Sequence, residues 1–370
     1  MLRFATAALT LIIITFVYLS LAVCRLEIIK NYLPASRWRC GLAGAGIVLA
    51  VFAVLYFSMD FFNAYVCITH LFIIWLLCDG VEKLIKYVGK LPDGHYYAGI
   101  CAIILTFIYF GTGWYNAHNV VETKYELRTD KNIGVDNFRV IAMADSHVGA
   151  TFNWQQFEEY AKEISARNPD IVAFVGDFTD DDTTKEDMEQ CCRILGQIHA
   201  KYGVYYVHGN HDAGYHAAGK RNYTIDDINR SLETNGVKIL SDQIVNIAGN
   251  VNVCGRLDKW RYPNRKSADS IIKDANLSND AYVITLDHSP TDYNAEAESG
   301  MDLVLSGHTH GGQLWGLGPI GVWFGGNDGY YGYERRKNTD FIITSGIGNW
   351  KIKFKTGCLA EYIVVDIKKS

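Results

Sequence analysis

Four long stretches without a charged side chain lie within the first 121 residues, and they leave that part of the chain little choice of fold. They run from Phe4 to Cys24, Gly41 to Met59, Phe61 to Cys78 and Tyr96 to Val121, the last most apolar between Ala98 and Tyr115. A bilayer core of about 30 Å needs about 20 apolar residues in a helix, because no water is present there to satisfy backbone N–H and C=O groups. The pattern predicts four membrane spans, at about 4–24, 41–59, 61–78 and 98–116, in a transmembrane region 1–118. Trp38, Tyr56, Trp75, Tyr96, Tyr97, Trp114 and Tyr115 fall near the span ends, where interfacial aromatics collect. The first run exceeds the apolar core of a signal peptide and ends in Leu-Ala-Val-Cys, so it reads as an uncleaved helix. The short Ser58-Met59-Asp60 turn leaves a second possibility, fusion of spans two and three into an in-plane hairpin.

Charge then orients the spans. Arg25, Lys30, Arg37 and Arg39 follow the first span, and Lys83, Lys86 and Lys90 follow the third. With four spans these loops share one side, and the positive-inside rule makes that side cytoplasmic. Both termini and the remainder of the chain are then expected outside, in a protein of the cell membrane. Residues 1–118 hold eight Lys/Arg and five Asp/Glu, a balance of +3, whereas the remainder has 27 and 35, a balance of −8. No basic stripe interrupts that acidic portion, so nucleic acid is excluded as the main partner. The nine cysteines show no CxxC or zinc-finger spacing and read as free thiols.

The acidic portion has its own pattern. Five polar, glycine-flanked segments each follow a short apolar run: Asp145-Ser146-His147, Gly176-Asp177-Phe178-Thr179-Asp180, Gly209-Asn210-His211-Asp212, His288, and Gly307-His308-Thr309-His310. The preceding runs, such as Ile171-Val172-Ala173-Phe174-Val175 and Tyr282-Val283-Ile284-Thr285-Leu286, are rich in β-branched and aromatic residues, as strands buried on both faces are. Between the first two lies Trp154 to Arg167, with Phe157, Tyr160, Ala161 and Ile164 at helical spacing, Thr151 or Asn153 as cap and Pro169 as stop. The class is therefore α/β, with polar residues just past strand ends, where open α/β sheets place ligands. Asp, His and Asn in such number form a ligand set for two divalent or trivalent metals.

In this order the segments resemble the calcineurin-like metallophosphoesterase superfamily: Asp-x-His, Gly-Asp-x-x-Asp, Gly-Asn-His-Asp, a lone His and Gly-His-x-His, from about Phe138 to the C-terminus. Gly311-Gly312-Gln313 and Ser345-Gly346-Ile347-Gly348 resemble its bacterial, membrane-anchored branch. The resemblance implies a four-layer α-β-β-α sandwich over residues 138–370, joined to the spans by a linker, 119–137. It implies two metal ions, Mn, Fe or Zn. One would be held by Asp145, His147, Asp177 and His310, the other by Asp177, Asn210, His288 and His308, with Asp177 bridging. Two such metals about 3.5–4 Å apart can lower the pKa of a shared water, aim it at phosphorus and neutralise phosphoryl oxygens. His211 would serve as transition-state stabiliser or leaving-group acid, oriented by Asp180. The branch often carries an arginine and a Pro-Glu pair near its end. Here Lys353, Lys355 and Ala360-Glu361 stand instead, so a substrate contact by that arginine does not carry over.

Other polar residues have plainer readings. His208 is expected in the core, Asp181-Asp182 in a solvated loop, and Asp287 shaping a turn, while Tyr215 and His216 are candidates for the cleft wall. The apolar run Leu314 to Phe324 follows the last motif directly. It either packs under a loop or meets an acyl chain, which makes a lipid phosphoester the leading substrate class, ahead of soluble organophosphates and cell-wall phosphodiesters. A non-catalytic sensor or transporter-associated module is the alternative. The complete ligand set and the absence of paired charges in the spans argue against it.

Overall fold

A computed structural model describes residues 2–32, 36–89, 95–214 and 221–370, which divide into two compact units, Met1–Gly113 and Trp114–Ser370. Lys90, Tyr215 and His216 lie outside the described residues.

The first unit is helical: α1 (Leu2–Val23), α2 (Glu27–Lys30), α3 (Arg37–Ser58), α4 (Phe61–Tyr87) and α5 (Ala98–His118), the last continuing into the second unit. Among the described residues, three helices are long and apolar enough to cross a membrane, with mean hydropathy 2.3 for Trp38–Ser58, 1.9 for α4 and 1.5 for α5. The apolar stretch Leu9–Val23 of α1 is shorter. Gly44 lets α3 approach α1 closely, since a Cβ there would collide with the Ser20 carbonyl. Asp60 caps α4, its carboxylate accepting from Asn63 N at 2.8 Å. The helix then continues past Cys78, so Lys83 and Lys86 sit on its last turns rather than in a loop.

Two charges just past the expected span ends meet in this unit. The charged groups are paired: Asp79 of α4 accepts from Arg25 Nη2 at 2.6 Å, Tyr18 Oη at 2.5 Å and Tyr96 Oη at 2.6 Å. Arg25 stands just past the end of α1, so the pair joins residues far apart in sequence and leaves no local signal.

The second unit contains twelve strands: β1 (Val121–Thr129), β2 (Asn137–Met143), β3 (Ile171–Val175), β4 (Val204–Val207), β5 (Lys238–Ile239), β6 (Gln243–Ala248), β7 (Val251–Gly255), β8 (Tyr282–Leu286), β9 (Leu303–Ser306), β10 (Gly332–Arg336), β11 (Thr339–Ile343) and β12 (Glu361–Lys369). They form two six-stranded sheets, ordered β1-β12-β2-β3-β4-β5 and β10-β11-β9-β8-β7-β6. Helices α6 (Trp154–Ala166), α7 (Lys185–Gln197) and α8 (Ile225–Thr234) pack on the first sheet, α9 (Ala268–Ala275) and α10 (Tyr293–Ser299) on the second. The short helix α11 (Gly318–Trp323) follows the last motif.

The period-two geometry of the strands builds the layers. In β2, Val140 and Ala142 join Val253, Ile284 and Leu305 in the core between the sheets, while Ile141 and Met143 turn to Phe157, Ile164 and Leu195 of the helices. The result is a four-layer α-β-β-α sandwich. Helix α6 stands where spacing placed it, with Asn153 and Gln156 forming a capping box and Phe157, Ala161 and Ile164 buried.

The stretch 119–137, expected as a linker, is structured. It contains β1, paired parallel with β12 from Val121↔Glu361 to Thr129↔Lys369. Lys124, Glu126 and Arg128 are exposed and Tyr125 and Leu127 turn inward, so the charges that mimic a linker are the outer face of an edge strand.

A fragment beginning at residue 137 should therefore fold poorly beside one beginning at residue 119, because it leaves a full edge of β12 unpaired. We expect several-fold lower soluble yield and a lower melting temperature. Coincident melting curves for the two fragments would show that β1 is dispensable.

Candidate metal centre

Five strands converge on one edge of the sandwich and each delivers polar residues from the turn that follows it. Asp145 and His147 follow β2, Asp177 and Asp180 follow β3, Asn210 and His211 follow β4, His288 follows β8, and His308 and His310 follow β9. Asp145, His147, Asp177, His308 and His310 all adopt positive φ, between 38° and 69°. Such conformations cost on the order of 1–3 kcal/mol each and persist only where the surroundings hold them. The flanking glycines have a steric reason. A Cβ on Gly209 would strike Asp177, one on Gly307 would strike Asp145, and one on Gly176 would strike the His288 ring.

The side chains meet in three groups, two of which share His147, and within each group the candidate ligand atoms lie within 4.8 Å of one another: Asp145, His147 and His310; Asp177, His288 and His308; and His147, Asp180 and His211. Asp177 lies against two of them, with Oδ2 at 3.1 Å from His288 Nε2 and 3.7 Å from His147 Nε2. His310 Nε2 is 3.2 Å from His147 Nε2 and 3.6 Å from Asp145 Oδ1. Asn210 Oδ1 lies 2.8 Å from His308 Nδ1, and His211 Nδ1 lies 3.1 Å from Asp180 Oδ1. All nine residues named from the sequence are thus in one cluster.

The donor set fits metal ions on its own terms. His310 Nδ1 is buried without a hydrogen-bond partner, and His288 Nε2 and His147 Nδ1 have only the carboxylates of Asp177 at 3.1 Å and Asp180 at 3.3 Å beside them, which would be costly unless something else takes their lone pairs or protons. His288 Nδ1 is engaged by the Val175 carbonyl at 2.7 Å, a contact that fixes the ring and directs Nε2 into the cluster.

Burial dominates the electrostatics. It pushes the Asp145 carboxyl up to about 6. Burial would raise Asp177 too, but the imidazoles of His288, His211 and His147 outweigh it and hold Asp177 well below the usual carboxylate range. Burial and the charge of His288 bring His308 down to about 3, and burial beside His147 lowers His310. Neutral imidazole is the form that binds metals. His288 alone among these rises well above its ordinary value: Asp177, Asp145 and Asp258 overcome its burial, a pull that acts on any cation placed there.

Sequence reasoning left several supporting residues without a role. Asp212 is buried and accepts four backbone N–H groups: Gly209 at 2.7 Å, Phe178 at 2.9 Å, and Thr179 and Asp177 at 3.1 Å. It ties the β3 and β4 turns together. Asp287 does more than shape a turn. It pairs with Arg256 at 3.0 Å and Arg265 at 2.6 Å, buried beside His288. Lys355 is buried and faces inward, donating to the carbonyls of Ser345 at 2.5 Å and Gly346 at 3.0 Å. That loop lies against Asp145, where a Cβ on Gly346 would clash, so Lys355 braces a ligand from behind. His208 is buried edge-on to the Tyr206 ring, 5.0 Å away, outside the ligand groups.

Comparison with known proteins bears on the family. Residues 138–312 match the family described as calcineurin-like phosphoesterase. An uncharacterised metallophosphoesterase of Helicobacter pylori is 29% identical over 255 residues, covering 67% of this chain and 64% of its own. The uncharacterised metallophosphoesterase YkuE of Bacillus subtilis is 24% identical over 240 residues, covering 64% of this chain and 81% of its own. A transmembrane protein with metallophosphoesterase domain from Danio rerio is 25% identical over 252 residues, covering 64% of this chain and 54% of its own. The chain spans less than two thirds of the length of two of these relatives, 64% of the Helicobacter pylori protein and 54% of the Danio rerio one.

Replacing Asp212 with alanine strands four buried donors at once. At about 1–3 kcal/mol for a buried donor left unpaired, Asp212→Ala should destabilise the second unit by at least about 3 kcal/mol. A melting temperature unchanged from wild type would contradict this role.

Proposed function

The chain carries a calcineurin-like metallophosphoesterase domain, and we propose that it hydrolyses phosphoester bonds at a centre of two metal ions, anchored in a membrane by its N-terminal helices. The observation that carries this reading is the placement of Asp177 against both ligand groups. A carboxylate there can serve two cations at once and offset their repulsion.

Asp145, His147 and His310 would hold one ion, Asn210, His288 and His308 the other, with Asp177 shared. Asp, His and Asn ligands suit Mn, Fe or Zn. Bound there, two ions would supply Lewis acidity toward a phosphoryl group and acidify water. The chain's own contribution is orientation and proton handling. Asp180 engages His211 Nδ1, which turns the ring so that Nε2 would meet a leaving-group oxygen. Burial would lower the His211 pKa, but the hydrogen bond that its ring gives to Asp180 and the charge of Asp177 more than reverse that and raise it.

A lipid phosphoester is the substrate class we favour. Its support is an exposed apolar run directly after the last ligand, with Trp315 at 78%, Trp323 at 85% and Phe324 at 87% exposure. The basic residues flanking the spans support an extracytoplasmic catalytic domain in the cell membrane.

Asp177→Asn should release metal and abolish hydrolysis of bis-para-nitrophenyl phosphate by the full-length protein, read by elemental analysis and product absorbance. Retention of two metals per chain with near wild-type turnover would sink the bridging assignment. His211→Ala should keep its metals while losing on the order of 10²–10⁴-fold in rate, the usual worth of a positioned acid or oxyanion donor. Loss of metal in that variant would make His211 a ligand instead.

A further inference from the structure

We propose that the face formed by residues 315–324 and 350–354 of the second unit seats in the surface of an anionic bilayer and presents lipid headgroups to the metal centre. The naming of what reaches the centre rests on the phosphoesterase reading. The docking surface itself rests on four independent observations.

The first is exposure. Trp315, Trp323 and Phe324 are joined by Leu317 at 49% and Ile320 at 42%, so five large apolar side chains within ten residues face outward. Soluble surfaces seldom carry so dense an apolar patch without a partner. The second is continuity with the point where the chain leaves α5. Trp315 N donates to Thr356 Oγ1 at 3.0 Å, so this run is tied to loop 350–357. The same loop holds the last turn of α5: Phe354 packs edge-on to Trp114 at 5.9 Å, and Asn116 Nδ2 donates to the Lys355 carbonyl at 3.2 Å. Helix α5 is itself long and apolar enough to cross a membrane.

Charge is the third. Lys351 and Lys353 stand in this loop on an otherwise acidic portion of the chain, complementary to anionic headgroups. Tryptophan beside lysine is the composition of an interfacial surface. The fourth is the route inward. From the same loop, the Trp350 ring lies 5.5 Å from His211, so one segment borders both the surface and the cluster. Gln313, three residues after His310, donates to the Ile352 carbonyl at 2.6 Å and joins the loop to the ligand turn.

The test uses full-length protein in nanodiscs of phosphatidylcholine and phosphatidylglycerol, with and without lipid brominated near the head of its acyl chains. The emission lost on going from wild type to a Trp315→Phe/Trp323→Phe variant isolates these two indoles. We expect brominated lipid to quench most of that difference emission, acrylamide to quench little of it, and Lys351→Glu/Lys353→Glu to reduce the lipid quenching. Quenching by acrylamide alone would overturn the proposal, because the face would then be in water. Shielding from both quenchers would also overturn it and assign the face to a protein partner. Turnover of bis-para-nitrophenyl phosphate in the same preparations separates the two readings. Lipid quenching without turnover upholds the surface and removes the phosphoesterase. Turnover without lipid quenching removes the surface alone.

Discussion

Asp177 is a buried carboxylate surrounded by imidazoles, and nearly every feature around the metal centre can be traced to holding it there. A buried charge needs partners in fixed positions, and the closest are His288 Nε2 at 3.1 Å and the backbone N–H of His211 at 2.8 Å. Those partners come from β8 in one sheet and the β4 turn in the other, so the carboxylate sits at the seam of the sandwich. Gly209 must be glycine because Asp177 occupies the space a side chain would need. Asp212 holds the Asp177 backbone from the opposite side. The motif Gly-Asn-His-Asp can thus be read residue by residue: clearance, a ligand candidate, an acid candidate, and a clamp on the neighbouring turn.

The left-handed backbone at five of the site residues implies a second dependence. Turns of that kind would relax if the strands beneath them could shift. They cannot, because β3, β4, β8 and β9 are buried along their whole length between helices and the facing sheet. Close packing between the sheets transmits rigidity to the edge where the ligand candidates lie. Stability and site geometry therefore share one core, and Val175 shows it in a single residue. Its side chain packs between the sheets while its carbonyl orients His288.

Much of this was legible in the sequence because the site is built from short local segments at strand ends. Asp145 through His310 could be named as a set, and α6 placed to within a residue, because apolar runs, caps and polar turns are local signals. What stayed hidden depends on partners distant in the chain. β1 looks like a charged linker until β12, more than two hundred residues later, pairs with it. Asp79 and Arg25 look like isolated charges near span ends until helix packing joins them. Lys355 could be placed beside a substrate or behind the site with equal ease on sequence grounds. Its burial decides for the latter, since its ammonium is spent on two backbone carbonyls. Buried pairing is a property of the fold, and no periodicity encodes it.

The loss of the linker changes how the membrane portion bears on the chemistry. A free segment spanning 119–137 would have let the catalytic domain sample a wide volume. Instead β1 begins at Val121, three residues after α5 ends at His118. Residues 116 and 117 belong to the second unit, where Ala360 N donates to the Asn116 carbonyl at 2.8 Å and Asn349 Nδ2 to that of Ala117 at 3.1 Å. These bonds belong to the same C-terminal stretch that carries Trp350 and Lys355. A disturbance at residues 116 and 117 therefore reaches the neighbourhood of His211 and Asp145 through a few hydrogen bonds within the second unit. Short-range coupling of that kind makes the α5 exit part of the site's supporting structure, and gives those few residues a role that a simple anchor would not need.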